Sequence, residues 1–144
     1  MSQCSAFGQK RCATMPRMGT TRAALLPACS VIAATGRDAR SFLQGQLSND
    51  ILGLERHPGM LAAACNRQGR VLATLRLAAA GEDVLLFLQR ELAHTLVAQL
   101  APFVLRAQVR FEDRSRELAV AGLIDAEPDA HWSQAAAAAA GLTM

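Results

Sequence analysis

The amino-acid sequence predicts an α+β domain, with a mainly antiparallel sheet and two to three helices, preceded by a basic tail. Three observations support this fold class. Segments in which apolar and polar residues alternate, as in half-buried strands, outnumber segments with the 3.6-residue repeat of a helix. Short turn motifs join several consecutive strands into hairpins. Strands and helices do not alternate regularly, so a doubly wound parallel sheet is not expected.

The predicted elements follow the order β-α-β-β-β-α-β-β, with a weak helix at the end. They are strands over 26–34, 60–65, 70–77, 84–88, 107–112 and 117–123, and helices that start at 39 and cover 90–100 and 132–142. Residues 35–38 have the form of a capping box, a threonine followed three positions later by an acid, and predict that a helix begins at residue 39. Residues 66–69 predict a hairpin turn in which Gly69 suits a positive φ. The uninterrupted apolar run 84–88 predicts a strand buried on both faces.

The composition argues against several classes of protein. The chain has no charge-free apolar run of about 18 residues, which excludes a membrane-spanning helix. Aromatic residues are only 4% of the chain, too few for a base-stacking platform. The four cysteines show no C-x-x-C or other paired spacing, so neither a metal site nor a disulfide framework is expected. Free thiols are typical of a reducing cytoplasm.

The net charge of +3 is unevenly distributed along the chain. Residues 1–37 contain five basic residues and no acid, whereas residues 38–144 contain ten basic residues and twelve acids, a net charge of −2. We expect a disordered basic tail over residues 1–24 and a folded domain over 25–144. A nucleic-acid-binding module that uses the arginine-rich tail, or an organelle transit peptide, is the alternative interpretation of the tail.

Catalytic and metal-binding residues are not predicted. His57, His94 and His131 have no suitably spaced carboxylate or cysteine that would complete a triad or a metal site. The sequence also lacks the glycine-rich loops that bind dinucleotides or nucleoside triphosphates.

Candidate binding residues are polar side chains at the ends of predicted strands and helices. They are Gln44, Gln46, Asn49, Asp50, Asn66, Arg76 and Gln89. Such groups can hydrogen-bond a flat polar ligand while apolar strands contact its ring. The alternative is turn and capping chemistry, which suits Asn49, Asp50 and Asn66.

Residues 35–50, TGRDARSFLQGQLSND, resemble the G-x-D-x-x-x-F-L-Q-G-Q-x-T/S-x-D segment of YgfZ-type folate-binding proteins. The hairpin 62–71, AAACNRQGRV, is similar to their A-x-x-C/L-x-x-K/Q-G-K/R hairpin. Weaker similarities continue through 74–77, 105–113 and 119–123, so the resemblance covers residues 29–124.

This resemblance implies the first domain of the folate-binding fold shared with the glycine-cleavage T-protein, in which three domains surround a folate pocket. It implies tetrahydrofolate as cofactor, a cytoplasmic location, and a role in iron–sulfur cluster assembly or repair and in tRNA modification. Iron–sulfur proteins and tRNA-modifying enzymes are the implied partners, and no membrane is involved. The residues expected to contact folate are Gln46, Asn49, Asp50, Asn66, Arg76 and Gln89.

The chain departs from the family pattern in two ways. The Lys-Gly-Cys motif of the YgfZ branch is not present, so the domain is expected to be incomplete relative to the family, with an exposed pocket wall that favours self-association. Where the T-protein branch has adjacent acids, this chain has Ala73 and Thr74, which cannot act as general bases. The resemblance therefore favours a folate-binding protein that is not an enzyme, with an aminomethyltransferase as the alternative. Gln89 stands where T-proteins have an asparagine that contacts folate.

Overall fold

The computed structural model describes residues 22–57 and 59–124. In chain order its elements are β1 (Arg22–Leu25), β2 (Cys29–Thr35), α1 (Ala39–Gln44), a 3-10 helix (Ile51–Arg56), β3 (Met60–Cys65), β4 (Val71–Ala80), β5 (Asp83–Gln89), α2 (Arg90–Leu100), a 3-10 turn (Ala101–Phe103), β6 (Arg110–Asp113) and β7 (Ala121–Ile124). Within the described ranges, no helix has both the length and the apolar character needed to cross a membrane.

Five strands form one sheet in the order β3-β4-β5-β2-β6. Every neighbouring pair in this sheet is antiparallel. A second sheet consists of β1 and β7, which are also antiparallel. The predicted fold class, α+β with a mainly antiparallel sheet, is therefore confirmed.

The hydrophobic core lies between one face of the five-stranded sheet and the helices. From the sheet, alternate residues of each strand enter it, among them Leu75, Leu77, Leu86 and Ile32. From the helices, the buried positions are Ala39, Phe42 and Leu43 in α1, Ile51 and Leu54 in the 3-10 helix, and Ala93, Leu96 and Leu100 in α2. The spacing in α2 is that of a single apolar stripe on a helix of 3.6 residues per turn.

The N-terminal elements differ from the prediction. The strand predicted over 26–34 is β2, which covers Cys29–Thr35, and a further strand, β1, begins inside the segment predicted to be a disordered tail. The pairing partner explains the difference, because Leu25 lies opposite Ala121 and Arg22 opposite Ile124, almost a hundred residues along the chain. Residues 1–21 of the predicted tail and the helix predicted over 132–142 lie outside the described residues.

The predicted capping box is wrong. Thr35 is the last residue of β2, and α1 begins after Asp38, whose side chain makes no capping hydrogen bond. Instead, the Asp38 carboxylate Oδ2 accepts a hydrogen bond from the backbone N–H of Gln108 at 2.8 Å. The carboxylate thus joins α1 to the segment before β6 rather than satisfying the first turn of its own helix.

The strands β5, β6 and β7 also differ from the prediction, and β6 covers Arg110–Asp113 rather than 107–112. β7 begins at Ala121 rather than residue 117, because the N–H groups of Glu117 and Leu118 both donate to the carbonyl of Arg114 and form a turn. In β5, only Val84, Leu86 and Leu88 are fully buried, whereas Leu85 and Phe87 are half-buried on the opposite face. The apolar run 84–88 therefore has one face in the core and one only partly covered.

Gly36 allows the chain to cross close to the segment that precedes β6. Its φ is +107°, and a Cβ atom at this position would lie 2.3 Å from the carbonyl oxygen of Gln108. The backbone N–H of Asp38 donates to that same carbonyl oxygen. A side chain at position 36 would therefore collide with the backbone that anchors α1 to β6.

We expect Gly36→Ala to lower the free energy of unfolding by about 2–4 kcal/mol, since it adds backbone strain to a steric collision. Gly69→Ala is the matched control, because Gly69 also has a positive φ, +78°, but a Cβ atom there would meet no other atom within 4 Å. Gly69→Ala should lower the free energy of unfolding by only about 1–2 kcal/mol. Urea denaturation followed by circular dichroism measures both, and equal losses would contradict the role assigned to Gly36.

Candidate functional site

The candidate site lies on the face of the five-stranded sheet opposite the core. Directly opposed residues of an antiparallel pair point to the same side of a sheet. Leu61 of β3 is opposite Arg76 of β4, which is opposite Phe87 of β5. The next row, Leu77 opposite Leu86, points into the core. The row Leu61–Arg76–Phe87, extended by Ala78 of β4 and Gln89 of β5, is called the open face below.

The open face carries a half-open cavity of about 550 Å³. Its lining consists of Gly59, Met60, Leu61, Arg76, Leu77, Ala78 and Phe87. This volume falls within the range of about 300–1,000 Å³ that is usual for small-molecule sites. Leu61 leaves 63% of its surface exposed, a large fraction for a leucine in a strand. Among the residues that the structure describes, the cavity lining offers apolar contact surface and one charged side chain.

Arg76 supplies that charge. Its side chain is exposed, and it takes part in none of the ion pairs formed within residues 22–57 and 59–124. A guanidinium stays charged at all physiological pH values and binds carboxylates through two parallel hydrogen bonds. Arg76 is thus placed to bind an anionic group of a ligand that contacts the apolar part of the cavity.

Gln89 lies on the same face as Phe87, two residues further along β5, and diagonally across from Arg76. It occupies the position before α2 but makes no side-chain capping hydrogen bond there. Its exposed amide can therefore donate to and accept from a ligand. Of the six residues predicted to bind folate, Arg76 and Gln89 are the two that the structure brings together on the open face.

Asn49 and Asp50 lie beside the outer edge of β3. The Asn49 side-chain amide donates to the carbonyl of Leu61 at 2.7 Å, and its oxygen accepts the N–H of Asp50 at 2.8 Å. Asn49 is therefore engaged on both sides and holds the strand that carries Leu61. The Asp50 side chain is exposed and makes no capping hydrogen bond to the 3-10 helix.

Gln46 and Asn66 line a different groove, of about 440 Å³, beside the β3–β4 hairpin. The Asn66 side-chain oxygen accepts the N–H groups of Gln68 and Arg70 at 3.0 and 2.9 Å. This is the turn chemistry that the sequence offered as the alternative for Asn66. Gln46 is half-buried in the same groove.

Leu61 and Phe87 were not among the residues predicted to form the site. Apolar strand residues are normally core residues, and only the pairing register shows that these two face away from the core. The register also places Ala73 and Thr74, which stand where the T-protein branch has adjacent acids, on opposite faces of the sheet. Ala73 is buried in the core, whereas Thr74 is exposed on the side of the open face.

Other ionisable groups add little to the site. In the described part of the chain, no group of three or more histidine, cysteine, aspartate or glutamate side chains could hold a metal ion. Hydrogen bonds from Ser115, first from its hydroxyl and then from its backbone N–H, lower the pKa of Asp113. Asp113 belongs to β6, two strands away from β5, and does not line the cavity.

Comparison with known proteins gives a consistent result. The protein "tRNA-modifying protein YgfZ" of Photorhabdus laumondii is 28% identical over 94 residues, which cover 64% of this chain and 29% of that relative. The protein of the same name from Yersinia pestis is 29% identical over 83 residues, 58% of this chain and 25% of the relative. No protein-family model matches the chain.

Among solved structures, the chain is similar to glycine cleavage system aminomethyltransferase T from Bartonella henselae. The TM-score is 0.62 at 19% identity, over 86% of this chain and 33% of that one. The chain is similar to YgfZ-type proteins, and its fold is that of about one third of the Bartonella structure. It spans about 29% of the length of the Photorhabdus YgfZ relative.

We expect Asn49→Ala to lower the free energy of unfolding by about 1 kcal/mol, because it removes the hydrogen bond to the edge strand. Asp50→Ala, its neighbour without a side-chain capping bond, should change stability by less than about 0.5 kcal/mol. Urea denaturation measures both values. Equal effects of the two variants would show that Asn49 does not hold the edge of β3.

Proposed function

We propose that this chain binds a folate, with tetrahydrofolate as its cofactor, on the open face. The observation that carries the proposal is the row in which Arg76 lies between Leu61 and Phe87 on a half-open apolar cavity. Folates combine a flat heteroaromatic ring with a glutamate tail. An apolar surface that holds a guanidinium with no ion pair to any described residue matches both parts of such a ligand.

The chemistry of the side chains suggests how the ligand lies. Phe87 and Leu61 contact the aromatic part, and the Arg76 guanidinium binds a carboxylate of the glutamate tail. The Gln89 amide, which can both donate and accept, hydrogen-bonds the donor–acceptor edge of the pterin. Asn49 acts indirectly, since it holds the backbone carbonyl of Leu61.

The cavity is open on one side, so this chain supplies one wall of the folate pocket. Loss of about 100 Å² of apolar burial on a ligand costs about 2.5 kcal/mol at 25 cal/mol per Å². That is close to a hundredfold in affinity. Binding to this chain alone is therefore weak, or a second copy supplies the opposing wall by self-association through the open face.

The cellular role that we propose follows the YgfZ relatives, whose name describes them as tRNA-modifying. Under this proposal the chain acts in the cytoplasm, in iron–sulfur cluster assembly or repair and in tRNA modification. Its macromolecular partners are then iron–sulfur proteins or tRNA-modifying enzymes. The similarity to YgfZ-type proteins supports this role.

We expect a stable 5-formyl derivative of tetrahydrofolate to bind the chain, and Arg76→Ala to weaken binding about tenfold or more. Arg70→Ala is the matched control, because Arg70 is exposed in the β3–β4 hairpin away from the cavity. Calorimetric titration gives the affinities, and light scattering gives the mass of the bound species.

Two results of this titration contradict the proposal. If no binding is detected at any accessible concentration, folate is not the ligand of this chain. If Arg76→Ala and Arg70→Ala weaken folate binding equally, the binding site does not lie on the open face. Tight binding by a strict monomer would instead show that the pocket is complete within this chain.

An aminomethyltransferase is the second candidate, because the Bartonella structure that shares this fold carries that name. Thr74 on the open side of the sheet argues against it, since a threonine hydroxyl does not serve as a general base near neutral pH. We expect no turnover of an aminomethyl donor by the chain, and none after Thr74→Asp, because one wall does not enclose the reactants. Turnover by the unmodified chain, measured as folate-dependent release of ammonia, would contradict this expectation.

A further inference from the structure

A separate groove lies at the opposite edge of the sheet from β3, where β2 ends and β6 begins. Its volume is about 420 Å³, and its lining consists of Thr35, Gly36, Arg37, Ala107, Gln108, Val109 and Arg110. None of these residues lines the cavity of the open face. The proposed folate site therefore leaves this groove unexplained.

Two arginines from different parts of the chain meet at the groove. Arg37 follows β2, and Arg110 is the first residue of β6, directly opposite Thr35. Among residues 22–57 and 59–124, Arg110 forms no ion pair. Arg37 has one distant contact, 3.9 Å from its Nε to Asp38 Oδ1, with 72% of its side chain exposed.

The carboxylates near the groove are not part of its lining. The Asp38 oxygen Oδ2 accepts the backbone N–H of Gln108 at 2.8 Å, which directs this carboxylate to the backbone. Glu112 lies two residues beyond Arg110 on β6, opposite Ala33, and is not part of the lining. The lining therefore carries the positive charges of Arg37 and Arg110 and the Thr35 hydroxyl, with the Asp38 carboxylate 3.9 Å from the Arg37 Nε.

The backbone at the base of the groove is fixed. The N–H of Asp38 donates to the carbonyl of Gln108, and Gly36 approaches that carbonyl more closely than any residue with a side chain could. The separation of the two arginine backbones is set by these contacts and by the β2–β6 register. The backbone positions of the two arginines are thus fixed before a ligand arrives, and only their side chains have to be ordered on binding.

We propose that this groove binds the dianionic phosphate of a small phosphate monoester. Two guanidinium groups balance the charge of one such phosphate, and each can form paired hydrogen bonds to its oxygens. A hydroxyl from Thr35 is available as a further donor. The volume exceeds that of a phosphate alone and leaves space for the organic group that carries it.

The test is an NMR titration of the full chain with inorganic phosphate, in which the backbone amides of Gly36, Arg37 and Val109 are followed. We expect saturable shifts at these amides, and a loss of affinity of about tenfold or more in Arg110→Ala and in Arg37→Ala. The Arg70→Ala variant, which removes an equal charge from the distant hairpin, should titrate like the unmodified protein.

Parallel titrations with acetate and with a short single-stranded RNA distinguish other sources of the anion. Weak or no response to acetate supports a site for phosphate. Shifts that do not saturate, or equal loss of affinity in Arg70→Ala, would show general charge attraction and overturn the proposal. A stronger response to the RNA than to inorganic phosphate at equal phosphate concentration would assign the groove to a nucleic-acid backbone and equally overturn it. None of these outcomes depends on folate binding.

Discussion

The register between β4 and β5 decides which side chains reach the core and which reach the open face. With Leu77 opposite Leu86, both side chains enter the core, and Arg76 and Phe87 are placed together on the other side. A slip of one residue would exchange the two faces, bury a guanidinium and expose two leucines. Burial of an unpaired charge is very unfavourable. The register that places the two leucines in the core therefore also places Arg76 and Phe87 on the open face.

The sequence predicted those parts of the fold that depend on nearby residues. The alternation over 70–77 and the positive φ of Gly69 are local properties, and the structure confirms both. The strand β1 was missed because its stability comes from pairing with β7, which no local pattern reveals. The capping box failed for a related reason. Asp38 forms a hydrogen bond with Gln108, seventy residues away, instead of serving its own helix.

The candidate site was predictable only in part, because residue type alone does not separate binding from turn formation. Asn49 and Asn66 have side chains suited to a ligand, yet their amides hydrogen-bond the backbone of an edge strand and of a hairpin. Within residues 22–57 and 59–124, the side chains of Arg76 and Gln89 have no such partners, and the two residues lie diagonally across two paired strands. Leu61 and Phe87 became candidates only through the register, since their types are those of core residues.

The segment before the 3-10 helix has a consequence for how this domain can associate. Ser48 donates its N–H to the carbonyl of Ala63 and accepts the N–H of Ala63 on its hydroxyl, while Asn49 occupies the carbonyl of Leu61. These contacts use the backbone groups that an exposed edge strand would offer to an incoming strand. These contacts prevent another strand from pairing with β3. A partner at this edge must therefore contact side chains. The shape and chemistry of the exposed side chains, rather than backbone hydrogen bonds, then determine which partners can bind at the β3 edge.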